Sequence, residues 1–247
     1  MKYILILGAK SDIAKEIARV YAKNGYNLCL ASRNAKELEI LANDIKIRSN
    51  VDVKIYEFDI VDFASHEQFY SSLDIKPSGV VLAAGYMVEQ SLAQTNQQES
   101  LNTLNVNFCG AVGVLNIIAN DFELRSKNEK DLFIAGISSV AGDRGRASNY
   151  IYGSAKAGFS AYLSGLRNRL AKCGVNVLTI KPGFVATKMT SGLYLPPKLT
   201  VMPEQVANDI FKAQQSKKSI LYTKKLWFFI MLIIKHIPEF IFKKMSI

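Results

Sequence analysis

Six short apolar runs, separated by longer amphipathic stretches, constrain this chain more than any other feature. The runs are "YILILG" (3–8), "NLCLAS" (27–32), "VKIYEFD" (53–59), "GVVLAAG" (79–85), "DLFIAGISS" (131–139) and "NVLTIKPG" (176–183). Strands apolar on both faces must be covered on both faces, and helical patterns such as Ile13 to Asn24 and Ala35 to Arg48 supply the cover. The expectation is a doubly wound α/β domain with a parallel sheet and helices on both faces. Its ligand crevice should lie at the carboxyl ends of the strands. A chain of 247 residues suffices for one such domain. The opening "MKYILILGAK" breaks at a glycine and leads into a charged helical pattern, so it reads as a first strand rather than a secretory leader.

Charge narrows the partners. Of the net +10, residues 212 to 247 carry +7, from eight lysines against the single acid Glu239. The remaining +3 is spread over residues 1 to 211 without a basic groove and interleaved aromatics, so no nucleic-acid partner is expected. Cys29, Cys109 and Cys173 are far apart and lack metal-ligand spacing; three plain core thiols in a reducing cytosol, and no metal, are expected.

Two segments after early strands suggest a dinucleotide. In "GAKSDIAKEIA", Gly8, Lys10, Ser11, Asp12 and Ile13 form a turn that would aim helix N-terminal amides at a pyrophosphate, as in a Rossmann-type domain. Asp12 and Ala14 stand where second and third glycines are usual. Alanine satisfies the close packing of the third place, and Asp12 is expected to cap a helix beginning at Ile13. The second strand ends in "ASRN", with Ser32 and Arg33 and no carboxylate to hold a ribose hydroxyl. An arginine suits a phosphate, and Lys10 could add charge nearby, so NADPH is the expected cofactor.

In "NYIYGSAKAGF", Tyr152 and Lys156 are four residues apart and so share a helix face. A nearby ammonium would lower the phenol's pKa and let the pair exchange a proton near neutrality. Tyr194 and Lys198 have the same spacing, but Pro196 and Pro197 between them forbid the helix.

The ordered set resembles the short-chain dehydrogenase/reductase family over roughly residues 2 to 210. "GAKSDIA" resembles its glycine loop, "FDI" (58–60) its adenine-contacting segment with Asp59 and Ile60, and "LAAG" (82–85) its Asn-Ala-Gly sequence with Ala83 in place of the asparagine, followed by Ala84 and Gly85. "NVNF" carries Asn107 at the family's catalytic asparagine, "ISSVAG" places Ser139 thirteen residues before Tyr152, and "KPGFVATKM" supplies Pro182, Gly183, Val185 and the nicotinamide-contacting Thr187. The resemblance implies that Ser139 binds the substrate carbonyl and Tyr152 protonates it. It further implies that Lys156 holds the nicotinamide ribose and tunes Tyr152, while Asn107 holds a water linking Lys156 to solvent. Ser138 should point to the opposite side of its strand. A non-catalytic NADPH-sensing scaffold is the alternative, against which the four intact catalytic positions argue. Met189, Leu193, Tyr194 and Leu195 are pocket, lid or plain loop residues.

The C-terminus stands apart, and a boundary is expected between a catalytic domain (1–215) and a tail (216–247). Leu226 to Ile234 is apolar on every side, yet too short for a membrane span, which needs about 20 residues. It suits a helix in a membrane interface, with Trp227 and the phenylalanines among lipids and Lys224, Lys225, Lys235, Lys243 and Lys244 on anionic head groups, or else a helix packed on a partner subunit or in the core. The layout is also loosely similar to a branch of the family that reduces a keto-sugar carried on polyprenyl phosphate, such as decaprenylphosphoryl 2-keto-ribose reductase. That similarity implies a lipid-linked or lipid-like ketone, reduced by a peripheral protein on the cytoplasmic face of the membrane. A homo-oligomer is expected. The runner-up is a soluble-ketone reductase whose tail lies in a dimer contact.

Overall fold

The structure, a computed structural model, describes residues 2–245; Met1, Ser246 and Ile247, the outer ends of the two expected segments, lie outside the described residues. Its strands are β1 (Tyr3–Leu7), β2 (Asn27–Ser32), β3 (Val53–Glu57), β4 (Gly79–Leu82), β5 (Phe133–Ile137), β6 (Asn176–Pro182), β7 (Phe184–Val185), β8 (Thr200–Val201) and β9 (Ile220–Thr223). Seven form one parallel sheet in the order β3-β2-β1-β4-β5-β6-β9, and β7 pairs with β8 beside it. The register sets Leu7 against Ala31 on one side and Leu82 on the other, and Leu82 against Gly136. The loops after β1, β2, β4 and β5 therefore leave the sheet along one edge.

The helices are α1 (Asp12–Lys23), α2 (Glu39–Ser49), α3 (His66–Ser71), α4 (Gln90–Thr95), α5 (Gln97–Leu104), α6 (Gly110–Arg125), α7 (Tyr150–Ala171), α8 (Pro203–Gln215), α9 (Leu226–His236) and α10 (Glu239–Phe242). Successive strand side chains point to opposite faces. Ile4 and Ile6 pack with Ile17 and Tyr21 of α1, Ile45 of α2 and Ile210 of α8. Leu5 and Leu7 pack with Phe69 of α3, Leu115 and Phe122 of α6 and Phe159 of α7. Each fully buried aliphatic side chain contributes about 1.5–3 kcal/mol, and all four of these β1 side chains are wholly buried. The doubly wound sheet with helices on both faces is as expected from the apolar runs.

From Gln97 to Arg125 the chain is helical for 29 residues, long and apolar enough by composition to cross a membrane. Val114, Leu115, Ile118, Ala119 and Phe122 are nevertheless fully buried against the sheet, which makes it a core helix.

Two expectations change. The boundary at 215 falls before the sheet ends, because β9 pairs with β6 from Thr179↔Ile220 to Pro182↔Thr223. That strand is short and half-exposed, with lysines on either side, so it lacks the apolar signature of the other six. All three cysteines are free, but only Cys29 is a core thiol; Cys109 is exposed and Cys173 half-buried.

Candidate active site

The crevice begins where β1 turns into α1. Gly8 has φ +81, and a Cβ there would lie 2.5 Å from the Ala84 nitrogen, so only glycine lets the turn pass this close to the end of β4. Ser11, with an extended backbone (φ −67, ψ 149), is the residue that caps α1; its hydroxyl accepts from the Ala14 amide at 3.2 Å. The expected cap, Asp12, is instead the first helical residue. Its carboxylate accepts from the Lys188 amide at 2.8 Å, joining the glycine turn to the segment after β6. The amides of Asp12 and Ile13 have no protein acceptor among the described residues, as an anion site at a helix start requires.

Beyond β2, Ser32 is buried and Arg33 exposed, with no ion-pair partner for Arg33 among the described residues. Glu57 folds the turn that follows, accepting from the amides of Asn34 and Ala35 at 2.8 Å each. Lys10, which could add charge beside a phosphate, is paired with Glu37 at 2.9 Å. Hydrogen bonding to Lys10 lowers the pKa of the Glu37 carboxyl. Asp59 Oδ1 accepts from the Val61 amide at 3.1 Å and shapes the turn carrying the buried Ile60.

Asn107 sits in a π turn, Asn105–Cys109, that interrupts α5 and α6; such single π turns collect at functional sites. Its Nδ2 donates to the carbonyls of Tyr86 (2.6 Å) and Thr103 (2.8 Å), and its Oδ1 accepts from the Tyr86 amide at 3.3 Å. The side chain therefore clamps the segment after β4, where Ala83 is buried and Ala84 partly so. A Cβ on Gly85 would lie 3.4 Å from Asn107 Oδ1, 3.6 Å from Met189 Cε and 4.0 Å from Lys156 Nζ. The missing side chain keeps that space open.

Ser139 and Tyr152 come from opposite ends of the segment joining β5 to α7. Gly142 allows it to lie on α7, since a Cβ there would meet the Lys156 carbonyl carbon at 2.6 Å. Ser139 Oγ accepts from the Ala141 amide at 3.1 Å, which leaves its own hydrogen free to donate. Ser138 points the other way as expected, tied to Ser160 Oγ (2.7 Å) and the Lys156 carbonyl (3.0 Å). Lys156 Nζ is buried, donates to the Ile137 carbonyl at 3.0 Å and stands 5.7 Å from the centre of the Tyr152 ring.

The expected lowering of the phenol by the ammonium does not occur. Burial pushes Tyr152 up to about 12, opposed by the neighbouring Ser139 hydroxyl, although the residue as a whole is only half-buried. Burial takes Lys156 down to about 7. Each group is driven toward its neutral form because burial penalises the charged one, and Lys156 gives its hydrogen bond to the Ile137 carbonyl rather than to the phenol.

After β6, Pro182 and Val185 are buried, and the Gly183 amide donates to the Thr223 carbonyl at 3.1 Å. Thr187 starts a short turn whose Thr190 hydroxyl accepts the Thr187 amide at 3.1 Å. Thr187, Lys188, Leu193 and Leu195 line an open depression with Asp12. Met189 reaches the space over Gly85, whereas Tyr194 is 85% exposed. A smaller cavity at the opposite end of the sheet, bordered by Ile4, Tyr26 and Phe133, holds none of these reactive groups.

The tail reaches the site through Trp227. Trp227 is buried on Gly183, where a Cβ would come 1.9 Å from Nε1, and it donates to the Leu199 carbonyl at 3.1 Å. Trp227 and Met231 form a separate cluster with Val140, and Phe184, Leu199 and Tyr222 pack against it. The Trp–Gly contact pairs residues 44 apart and leaves no local pattern.

The crevice fits a nicotinamide dinucleotide: an open helix start, a glycine cradle and an open space beside Lys156 lie along one edge. Known proteins resemble the chain in sequence and in fold. The family model described as short chain dehydrogenase matches residues 2–196. An uncharacterized oxidoreductase of Mycobacterium tuberculosis is 33% identical over 245 residues, covering 98% of this chain and 96% of that protein. Among solved structures, a short-chain dehydrogenase from Sphingobium yanoikuyae in complex with NADPH superposes with a TM-score of 0.81 at 20% identity, over 97% of each chain. A 3-oxoacyl-[acyl-carrier protein] reductase from Brucella melitensis in complex with NAD gives 0.79 at 20% identity, over 90% of this chain and 95% of that one.

Proposed function

Because this chain belongs to the short-chain dehydrogenase family of nicotinamide-dependent oxidoreductases, we propose that it uses NADPH to reduce a ketone to an alcohol at a membrane surface. The bound nicotinamide would supply the hydride. Ser139, with its hydrogen free, would donate to the carbonyl oxygen and stabilise the charge that develops there. Tyr152, whose phenol burial keeps protonated, would give the carbonyl oxygen the proton that reduction requires. Lys156 would hold the nicotinamide ribose beside Gly85, and Asn107 would fix the wall of that site. NADPH is preferred to NADH because Arg33 is uncommitted, and Lys10 can exchange Glu37 for a 2′-phosphate.

The observation that carries the membrane reading is the outer face of α9 and α10. One stripe of α9, Trp227 and Met231, is buried, while Phe229 (58%), Ile233 (68%) and Phe240 (67%) lie open to solvent. Lys225, Lys235, Lys243 and Lys244 are exposed around them. An apolar face with a basic rim is complementary to an anionic bilayer, where each lysine contributes about 1 kcal/mol. Held there on the cytoplasmic face, the crevice would meet a lipid-linked keto-sugar or other lipid-like ketone. The same apolar face supports a second reading, a homo-oligomer contact in a reductase of soluble ketones.

The test is flotation of the full chain on phosphatidylglycerol vesicles, compared with a Phe229→Glu, Ile233→Glu double variant shown by circular dichroism to fold. Flotation of the wild type alone, partly released by salt, supports the membrane surface. If neither protein floats and the double variant has the smaller oligomer mass, the tail is a subunit contact and the membrane reading falls.

A further inference from the structure

Arg144 lies on the loop joining Ser139 to α7, and its guanidinium leaves that loop to grip the tail. Nη1 donates to the carbonyls of Ile237 (2.8 Å), Lys235 (3.0 Å) and Ile234 (3.4 Å), and Nη2 donates to Glu239 Oε2 at 2.7 Å. The guanidinium carbon stands 4.0 Å from the centre of the Phe242 ring. A helix ends in carbonyls that its own turns cannot satisfy, and a cation at that end also meets the helix dipole favourably. Pro238 follows the end of α9, and Arg144 supplies the donors there. Glu239 is 75% exposed while Arg144 is only 16% exposed, so the bonds to backbone carbonyls hold more than the ion pair does.

The same loop is held again a few residues earlier. Val140, next to Ser139, packs on Trp227 and Met231. Asp143 accepts from the Tyr222 hydroxyl at 2.7 Å and pairs with Lys181, its own side chain 2% exposed. Every residue from Val140 to Arg144 that carries a large side chain thus rests on β6, β9, α9 or α10. The faces of α9 that the loop does not use are the exposed apolar ones.

We propose that Arg144 is a positioning residue through which the tail sets the Ser139 loop, so that seating the tail's outer face on an anionic bilayer stiffens the reaction centre. The bilayer clause rests on the membrane reading above; the loop clause does not. No contact of Arg144 with substrate or cofactor is required. Arg144 acts through Ser139, five residues back along the chain.

Hydrogen–deuterium exchange of the full chain tests both clauses, with Arg144→Ala and Arg144→Lys beside the wild type. Each protein is measured alone and with vesicles of equal parts phosphatidylglycerol and phosphatidylcholine. Without vesicles, Arg144→Ala should exchange the amides of 139–149 about tenfold faster while those of 8–20 are unchanged. Arg144→Lys should recover part of the protection, because an ammonium can reach the same carbonyls. With vesicles, the wild type should slow about tenfold at 139–149, and Arg144→Ala should float yet show no slowing there. Faster exchange confined to 226–242 would mean that Arg144 secures the tail alone, and faster exchange everywhere would mean that it secures the fold; either overturns the proposal. Flotation of the wild type without any change at 139–149 overturns the coupling and leaves the membrane reading intact. Failure to float overturns the membrane reading and the bilayer clause, while the vesicle-free comparison still decides the loop clause.

Discussion

Replacing Lys156 by methionine should flatten one part of the protein's stability profile. Burial takes the Lys156 ammonium from its ordinary 10.5 down to about 7. Between those values the unfolded chain binds a proton at this site that the native chain does not, so native stability rises with pH. The slope is about 1.4 kcal/mol per pH unit, and below 7 it vanishes because both states are protonated. From pH 7.5 to 9.5 the site should therefore add about 2–3 kcal/mol. Methionine keeps the length and apolar stem of lysine without a titrating group. Urea unfolding of the cofactor-free protein at several pH values reads the difference between wild type and variant, in which contributions from other groups cancel. Tyr152, raised to about 12, acts in the opposite direction, but only above pH 10, outside that range. Parallel profiles for the two proteins would refute the argument that Lys156 is held uncharged by burial. The variant should also lose NADPH-dependent turnover while folding normally.

Three further outcomes follow from the contacts. Trp227→Ala removes a buried indole and leaves the Leu199 carbonyl without its donor, so thermal unfolding should show a loss of about 3–5 kcal/mol. Gly85→Ala meets its neighbours only at ordinary contact distances, so the melting temperature should hold while fluorescence titration shows NADPH binding weakened about tenfold or more. Arg33→Ala should weaken NADPH binding about 10- to 100-fold and leave NADH binding unchanged, because one charge-assisted bond to phosphate is lost from an exposed side chain.

The sheet was legible because it is written locally, and so was the shared helix face of the candidate pair Tyr152 and Lys156. Apolar runs such as "YILIL" and "FIAGI" are short, rich in β-branched residues and bounded by turns, and Tyr152 and Lys156 fall four apart on one helix. Less was legible where one segment leans on another. Ser11 rather than Asp12 caps α1 because the Lys188 amide, far along the chain, takes the Asp12 carboxylate. The last strand is only four residues long and flanked by lysines, so its apolar signal is weak. The tail reads as uniformly apolar, and which stripe it buries depends on Gly183 and Val140. Arg144 offered no signal at all, since its acceptors are backbone carbonyls.

In the proposed reaction, Tyr152 would give a proton, and the nicotinamide a hydride, to a ketone at the membrane. The most direct measurement supplies the full chain with NADPH deuterated at C4 of the nicotinamide and a membrane lipid extract, and follows deuterium by mass spectrometry. The account predicts deuterium on a carbinol carbon of a lipid-soluble product with the wild type, and none with Tyr152→Phe although that variant still binds NADPH. Equal transfer by Tyr152→Phe, or transfer only to water-soluble products, would contradict it.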